Sequence, residues 1–363
     1  MLKLNFSKPL IKITFFFLLN MNLFLLVPLG NLLTGCNTTE PIDNSGVGTT
    51  SHNFTWQKFT FGGAETSSLF DVAIIDENNI WAVGEIYMND SLGNPDPNPY
   101  NAIHWNGLSW ELKMIKTNAC GGVDYLPIKA IFAFSSDDIL FAHIDGSISY
   151  FNGIDFTNDC SLIIQLNGSV NKIWGISKNN FYVVSDNGFI AHYQSGSWTK
   201  IESGSTLTIN DVWGNVENNI TTVLAAASNQ GTTDQKKLIR IQGSKIDTLN
   251  WSPQRTLYTV WFNNLNTIYA GGDGLYFKTQ NSWETNNALQ TYFSFRVRGT
   301  ATNNVITAGG FGFAAHFNGA NWKVLDDVAL VSGNYYGLDF KGNITALVGS
   351  NGSSAIITIG RRQ

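Results

Sequence analysis

The sequence predicts an all-β fold, a seven-bladed β-propeller of four-stranded antiparallel blades whose ring is closed by an N-terminal strand. Three observations carry this. A strand, a polar turn and a second strand recur in seven copies spaced roughly 37 to 59 residues apart. Each copy except the last is followed by two further short strands. The fourth strand missing from the last copy stands alone ahead of the first.

The first two strands are the clearest. Asn210-Asp211-Val212-Trp213-Gly214 leads through an Asn-rich turn to Ile220, and Asn171-Lys172-Ile173-Trp174-Gly175 leads in the same spacing to Phe181. Equivalent units start at Leu69, Ala130, Tyr258, Phe295 and Tyr335. Second strands tend to end in small residues, as in Trp81-Ala82-Val83-Gly84, Tyr269-Ala270-Gly271-Gly272 and Thr307-Ala308-Gly309-Gly310. Third strands carry His or an aromatic before Asn-Gly, a tight hairpin turn: His104-Trp105-Asn106-Gly107 and His316-Phe317-Asn318-Gly319. Fourth strands carry Trp110, Phe156, Trp198, Trp283 and Trp322, while the fourth copy, near Ile246, has no aromatic. The seventh copy ends after three strands, at Gly360, and Phe54-Thr55-Trp56-Gln57-Lys58-Phe59 has the pattern of its missing partner. Pairing the two removes the free sheet edges of a linear array.

Composition agrees with a packed β structure. Charged residues are 13% of the 363, against about 25% in an ordinary soluble protein, and aromatics are also 13%. The net charge of −5 excludes nucleic acid as a partner, since that needs a basic surface to displace counterions.

Residues 1–36 read as an export signal. Lys3, Lys8 and Lys12 precede an apolar stretch that ends in Leu33-Thr34-Gly35-Cys36. Asn20, Asn22, Pro28, Gly30 and Asn31 interrupt it, so it would span a bilayer poorly. The ending resembles the lipobox of bacterial lipoproteins, which implies cleavage behind Gly35 and acylation of Cys36. Residues 37–53, rich in Asn, Thr, Ser and Gly, are expected to form a flexible tether, with the propeller occupying 54–363. Residue 37 is Asn rather than Asp, so an outer-membrane location is expected.

The repeats resemble the Val-Trp-Gly, Ala-Val-Gly, His-Tyr-Asn-Gly and Trp repeats of bacterial exported propellers, and more distantly BNR/Asp-box and photosystem-assembly-factor propellers. The resemblance spans Phe54 to about Gly360 and implies the fold. Such chains are often labelled glucosyltransferases, but this sequence has neither an α/β crevice nor an Asp-x-Asp site. No metal motif or phosphate-cradling loop occurs, and no cofactor is expected. His104, His192 and His316 hold one repeat position and are expected to pack within their blades. Arg296 and Arg298, on one first strand near the axis, are a weak candidate anion site.

The expected function is therefore non-catalytic binding or scaffolding outside the cytoplasm. The partner would be a protein or glycan of the cell envelope. The alternative is a carbohydrate-active enzyme using loop carboxylates. The long connections, 85–101, 116–127, 158–168, 226–237 and 326–334, all emerge on one face. Tyr87, Asp90, Asp96, Tyr100, Asp124, Tyr125 and Asp159 decorate it over the first two blades, and they form the candidate binding face. Cys120 and Cys160 follow the fourth strands of adjacent blades on that face. A disulfide is expected in an oxidising compartment, the alternative being two free thiols.

Overall fold

The structure, a computed structural model, describes residues 48–63, 65–117, 120–121, 125–166, 168–229, 235–279 and 282–363. Cys36 and Asp124 lie outside these residues.

Seven four-stranded antiparallel sheets form the ring, and within each of the first six the strands lie side by side in chain order. Blades one to six occupy residues 68–113, 128–159, 170–202, 209–249, 257–285 and 294–324. Blade seven combines three C-terminal strands with Phe54–Phe61, which pairs antiparallel with Ser354–Arg362 from Phe54↔Arg362 to Phe61↔Ala355. The seven blades and the closing strand are those the sequence predicts.

Blades are locked together by the Val-Trp-Gly units. The Trp174 ring of blade three lies over Gly214 of blade four, where a Cβ would come within 2.5 Å of it. Trp261 covers Gly299 of blade six in the same way, at 2.7 Å. Trp213 donates its Nε1 to the Phe262 carbonyl of blade five at 3.1 Å. The apolar clusters accordingly straddle neighbouring blades, one of them joining Trp174 and Tyr182 to Val212, Val223 and Ile239.

The third-strand histidines bond within their own blades, and His316 also meets the Phe54 and Phe340 rings of blade seven. His104, His192 and His316 each reach, through Nε2, the Asn that opens the second strand of the same blade: Asn79 at 2.9 Å, Asn180 at 2.8 Å and Asn304 at 2.9 Å. His104 also stacks on Trp81 and His192 on Tyr182.

Residues 48–53 belong by composition to the tether, yet they are fixed along blade six. Thr50 N donates to the Asn318 carbonyl at 2.8 Å, Asn303 Nδ2 donates to the Gly48 carbonyl at 2.9 Å, and His52 Nδ1 lies 2.8 Å from His316 Nδ1. The Asn-Gly turn of blade six and its buried His316 supply partners that composition does not reveal.

Candidate functional site

An inner strand has a neighbour on one side only, so its other edge faces the axis. Two features of the inner strands organise what lies there.

The first is a β-bulge repeated in all seven blades. Ladder register shifts between Leu69 and Asp71, Ile128 and Ala130, Val170 and Lys172, Ile209 and Asp211, Leu257 and Thr259, Ser294 and Arg296, and Tyr335 and Gly337. The skipped residues are Phe70, Lys129, Asn171, Asn210, Tyr258, Phe295 and Tyr336. A bulge re-aims a side chain out of the sheet pattern, and all seven line one axial funnel of about 580 Å³. Gly84 and Gly309 stand opposite Leu69 and Ser294, just before the bulge, where any Cβ would strike the Ser68 or Phe293 carbonyl. That close approach explains the small residues at the ends of second strands.

The funnel opens where inner strands begin, which is the face of the long connections. Its wall is aromatic on one side, with the Tyr258 and Phe295 rings 5.3 Å apart and Phe295 and Tyr336 5.4 Å apart, both edge-to-face. Opposite, Lys129 Nζ sits 4.0 Å over the Phe70 ring. Asn171, Asn210, Thr208 and Ser228 supply polar groups between them.

The second feature is a buried plug of ion pairs below the funnel. Lys172 of blade three reaches Asp71 of blade one at 2.5 and 2.6 Å. Arg298 of blade six grips Asp211 of blade four at 2.7 and 2.9 Å. The carboxylates also satisfy the axial edges of neighbouring blades. Asp71 accepts from Ile131 N at 3.0 Å, Asp211 from Val260 N at 3.1 Å, and Asp339 from Ile74 N at 2.7 Å. Thr259 Oγ1 does the same for Val297 N at 3.1 Å, and donates to Asp211 at 2.6 Å. These donors have no strand to pair with, and buried backbone donors must be met.

Charge in the plug follows from burial and partners. Burial would raise the Asp211 carboxyl, but the Arg298 and Arg296 guanidinium groups outweigh it and hold it down at about 2. Burial pushes Asp339 up, because only amides and more distant cations oppose it. Burial pulls the Lys172 ammonium down, with Asp71 opposing. Lys172, Arg298 and Asp339 also line a smaller cavity, of about 220 Å³, at the other end of the axis.

The loop residues singled out in the sequence do not line the funnel. Asp90 accepts the amides of Leu92 and Asn94 at 2.8 and 2.9 Å, which lowers its pKa. Asp96 accepts Asn98 N at 3.1 Å. Asp159 accepts Ser161 N at 2.8 Å and Trp198 Nε1 of blade three at 3.0 Å. All three cap turns, which is the ordinary work of loop aspartates. Tyr87 gives its hydroxyl to Glu85, and burial with that carboxylate pushes it up to about 12. Tyr100 packs against the apolar cluster shared by blades one and seven. Tyr125 lies under Lys116, whose Nζ is 5.3 Å from the ring. Cys120 and Cys160 form a disulfide, with Cα atoms 5.4 Å apart, and Asn158 Nδ2 donates to the Lys116 carbonyl at 3.1 Å beside it. The second and third long connections are thus tied together.

Of the funnel, sequence reasoning singled out only Arg296. The signal for the rest was present: the bulge residue is the second position of the first strand in blades two to six, the third in blade one and the fourth in blade seven, and it is aromatic in four copies, Asn in two and Lys in one. Among the described residues no group of three His, Cys, Asp or Glu could hold a metal ion.

Fold and site define a seven-bladed propeller with an axial funnel open on its long-loop face. Solved structures of the same fold include YCF48 bound to a D1 peptide, which matches with a TM-score of 0.62 at 15% identity, over 87% of this chain and 97% of that one. YCF48 from Cyanidioschyzon merolae matches at 0.61 and 16%, over 85% and 98%. The WD40 propeller domain of Doa1 matches at 0.60 and 13%, over 86% and 98%. At such identities the likeness is one of fold. No protein-family model and no curated protein matches the sequence.

Proposed function

We propose that this chain is a non-catalytic binding propeller, held on a membrane outside the cytoplasm through acylated Cys36, which captures a segment of a protein partner on its long-loop face. One observation carries the reading. The seven bulged positions, fixed in backbone and varied in chemistry, converge on one funnel that opens among the long connections. A rigid frame that presents variable side chains around a concavity is a recognition surface. A propeller of this fold, YCF48, has been solved with a peptide bound. The loop carboxylates Asp90, Asp96 and Asp159 are engaged with the amides of their own turns, so no observation favours the carbohydrate-active alternative.

Site-specific photo-crosslinkers test the reading in cells. Crosslinkers at Tyr336 in the funnel and at Asn98 on the first long loop should trap the same partner, and one at Asn152, on the short-turn face, should not. A partner trapped only from Asn152 would overturn the docking face. The anchor has its own test. Radiolabelled palmitate should enter the wild-type protein and not Cys36→Ser, and equal labelling of both would overturn it.

A further inference from the structure

Arg296 and Arg298 lie two residues apart on one inner strand and both act on Asp211 through charge, yet among the described residues only Arg298 is hydrogen-bonded to a carboxylate. Arg298 places two nitrogens on Asp211. Arg296 uses Nη1 alone, on the carbonyls of Asn210 and Phe295 at 3.3 and 2.9 Å. Its Nε is buried and has no hydrogen-bond partner among the described residues, although the side chain is 94% buried and lines the funnel. A buried charged donor left unmet is costly. The Nη1 anchors also fix which edge of the guanidinium is left over, the Nε–Nη2 edge. That edge matches the two oxygens of a carboxylate in a planar, bidentate fork.

The rest of the funnel agrees. Among the described residues no acid lines it, while Lys129 and Arg296 both do. Glu85 and Asp186, whose charges reach Lys129, are engaged with other groups, Glu85 with the Tyr87 hydroxyl and Asp186 with Asn171 Nδ2 at 3.0 Å. In a chain of net charge −5, the charged residues lining the funnel, among the described ones, are both cations. Beside the free guanidinium edge stands the wall of Tyr258, Phe295 and Tyr336.

We propose that the axial funnel is a carboxylate-binding site, in which Arg296 receives the carboxylate on its Nε–Nη2 edge, Lys129 adds a second positive charge, and the aromatic wall holds the apolar body that carries the acid. The proposal rests on the reading that the partner enters the funnel. It specifies the entering group as an acidic side chain or a chain-terminal carboxylate of a peptide.

Benzoate, with benzamide as its uncharged counterpart, is the first probe, titrated into the full-length protein by calorimetry. Benzoate should bind and benzamide should not. Arg296→Gln should weaken benzoate about 10- to 100-fold, the worth of a charge-assisted pair. Arg296→Lys, which keeps charge but loses the fork, should lose most of the binding, and Lys129→Gln should lose less. Should the Arg296 variants fail to fold, the wild-type protein still decides the matter: its Arg296 Nε–Hε resonance should move on adding benzoate and stay still with benzamide. N-acetyl-glutamate amide and N-acetyl-phenylalanine then distinguish a side-chain from a chain-end carboxylate, and the tighter of the two names the source. Equal affinity for benzoate and benzamide, unchanged benzoate binding in Arg296→Gln, or a stationary Nε–Hε resonance would each overturn the site. If crosslinking from Tyr336 still traps the partner in that event, the capture reading stands and only its carboxylate chemistry falls.

Discussion

Arg298 holds Asp211 through two nitrogens, at 2.7 and 2.9 Å, and so ties the inner strand of blade six to that of blade four past blade five. Lys172 ties blade three to blade one past blade two in the same manner. Both pairs are buried, with side-chain exposures of 2% and 0% for the first and 5% and 0% for the second. They act on ring geometry directly, because each spans a blade that it does not belong to. A buried pair is dear to break and cheap to replace by apolar groups of similar volume.

Asp211→Ala should therefore destabilise by about 3–5 kcal/mol, since it strands the Arg298 guanidinium and removes the acceptor for Val260 N. The melting temperature should fall by roughly 5–15 °C. The double variant Asp211→Leu, Arg298→Met should recover most of that loss. Thermal melts of the three proteins check this, and a double variant no better than the single one would show that the pair does more than satisfy itself.

Reduction of the Cys120–Cys160 disulfide should lower stability by about 4 kcal/mol in the chain-entropy model, for a closed loop of 40 residues. Denaturant titrations of wild type and of the double variant Cys120→Ser, Cys160→Ser, with and without reductant, measure it. Only the wild type should respond to the reductant.

Stability should fall with acid in two stages. Burial, with the charges of His52 and Arg362, pushes His316 down to about 3, and burial pushes His143 down to about 4. Both folded values lie below the unfolded one near 6.5. The stability their neutral forms contribute is thus complete above about pH 6.5 and drains away as pH falls toward 4 and 3, at about 1.4 kcal/mol per pH unit for each. Asp211, held at about 2 when folded, adds stability above about pH 4 that is lost as pH falls toward 2. Denaturation midpoints at pH 7.5, 6, 5 and 4 read the first stage, and His316→Asn should flatten its slope.

Deleting residues 55–59 should expose the edge of Ser354–Arg362 and cause aggregation, because a free β edge is a template for pairing. Deleting residues 37–47 should leave melting unchanged. Extending that deletion to residue 53 should cost stability, since it removes the contacts of Thr50 and His52 with blade six. Light scattering and thermal melts of the three deletions separate these outcomes.

Much of this architecture is a property of the sequence read alone. The seven copies, their four-strand content and the closing role of Phe54–Phe61 were legible because strand period, Asn-Gly turns and repeat spacing are local, and a repeated local signal adds up. The face of the long connections was legible for the same reason, since strand direction alternates along a blade. The funnel was not. Phe70, Lys129, Asn171 and Tyr336 share a repeat position but no single chemistry, being aromatic, cationic and amide in turn, and their meeting depends on a bulge that appears only when two strands are laid in register. The loop aspartates misdirect attention for a related reason: a carboxylate beside Ser or Asn in a loop has the same sequence appearance whether it caps its own turn or awaits a ligand. Asp211 and Arg298 are 87 residues apart, and nothing local joins them. Only closure of the ring brings inner strands from non-adjacent blades to one axis, where burial makes each charge find a partner or, at Arg296 Nε, go without one.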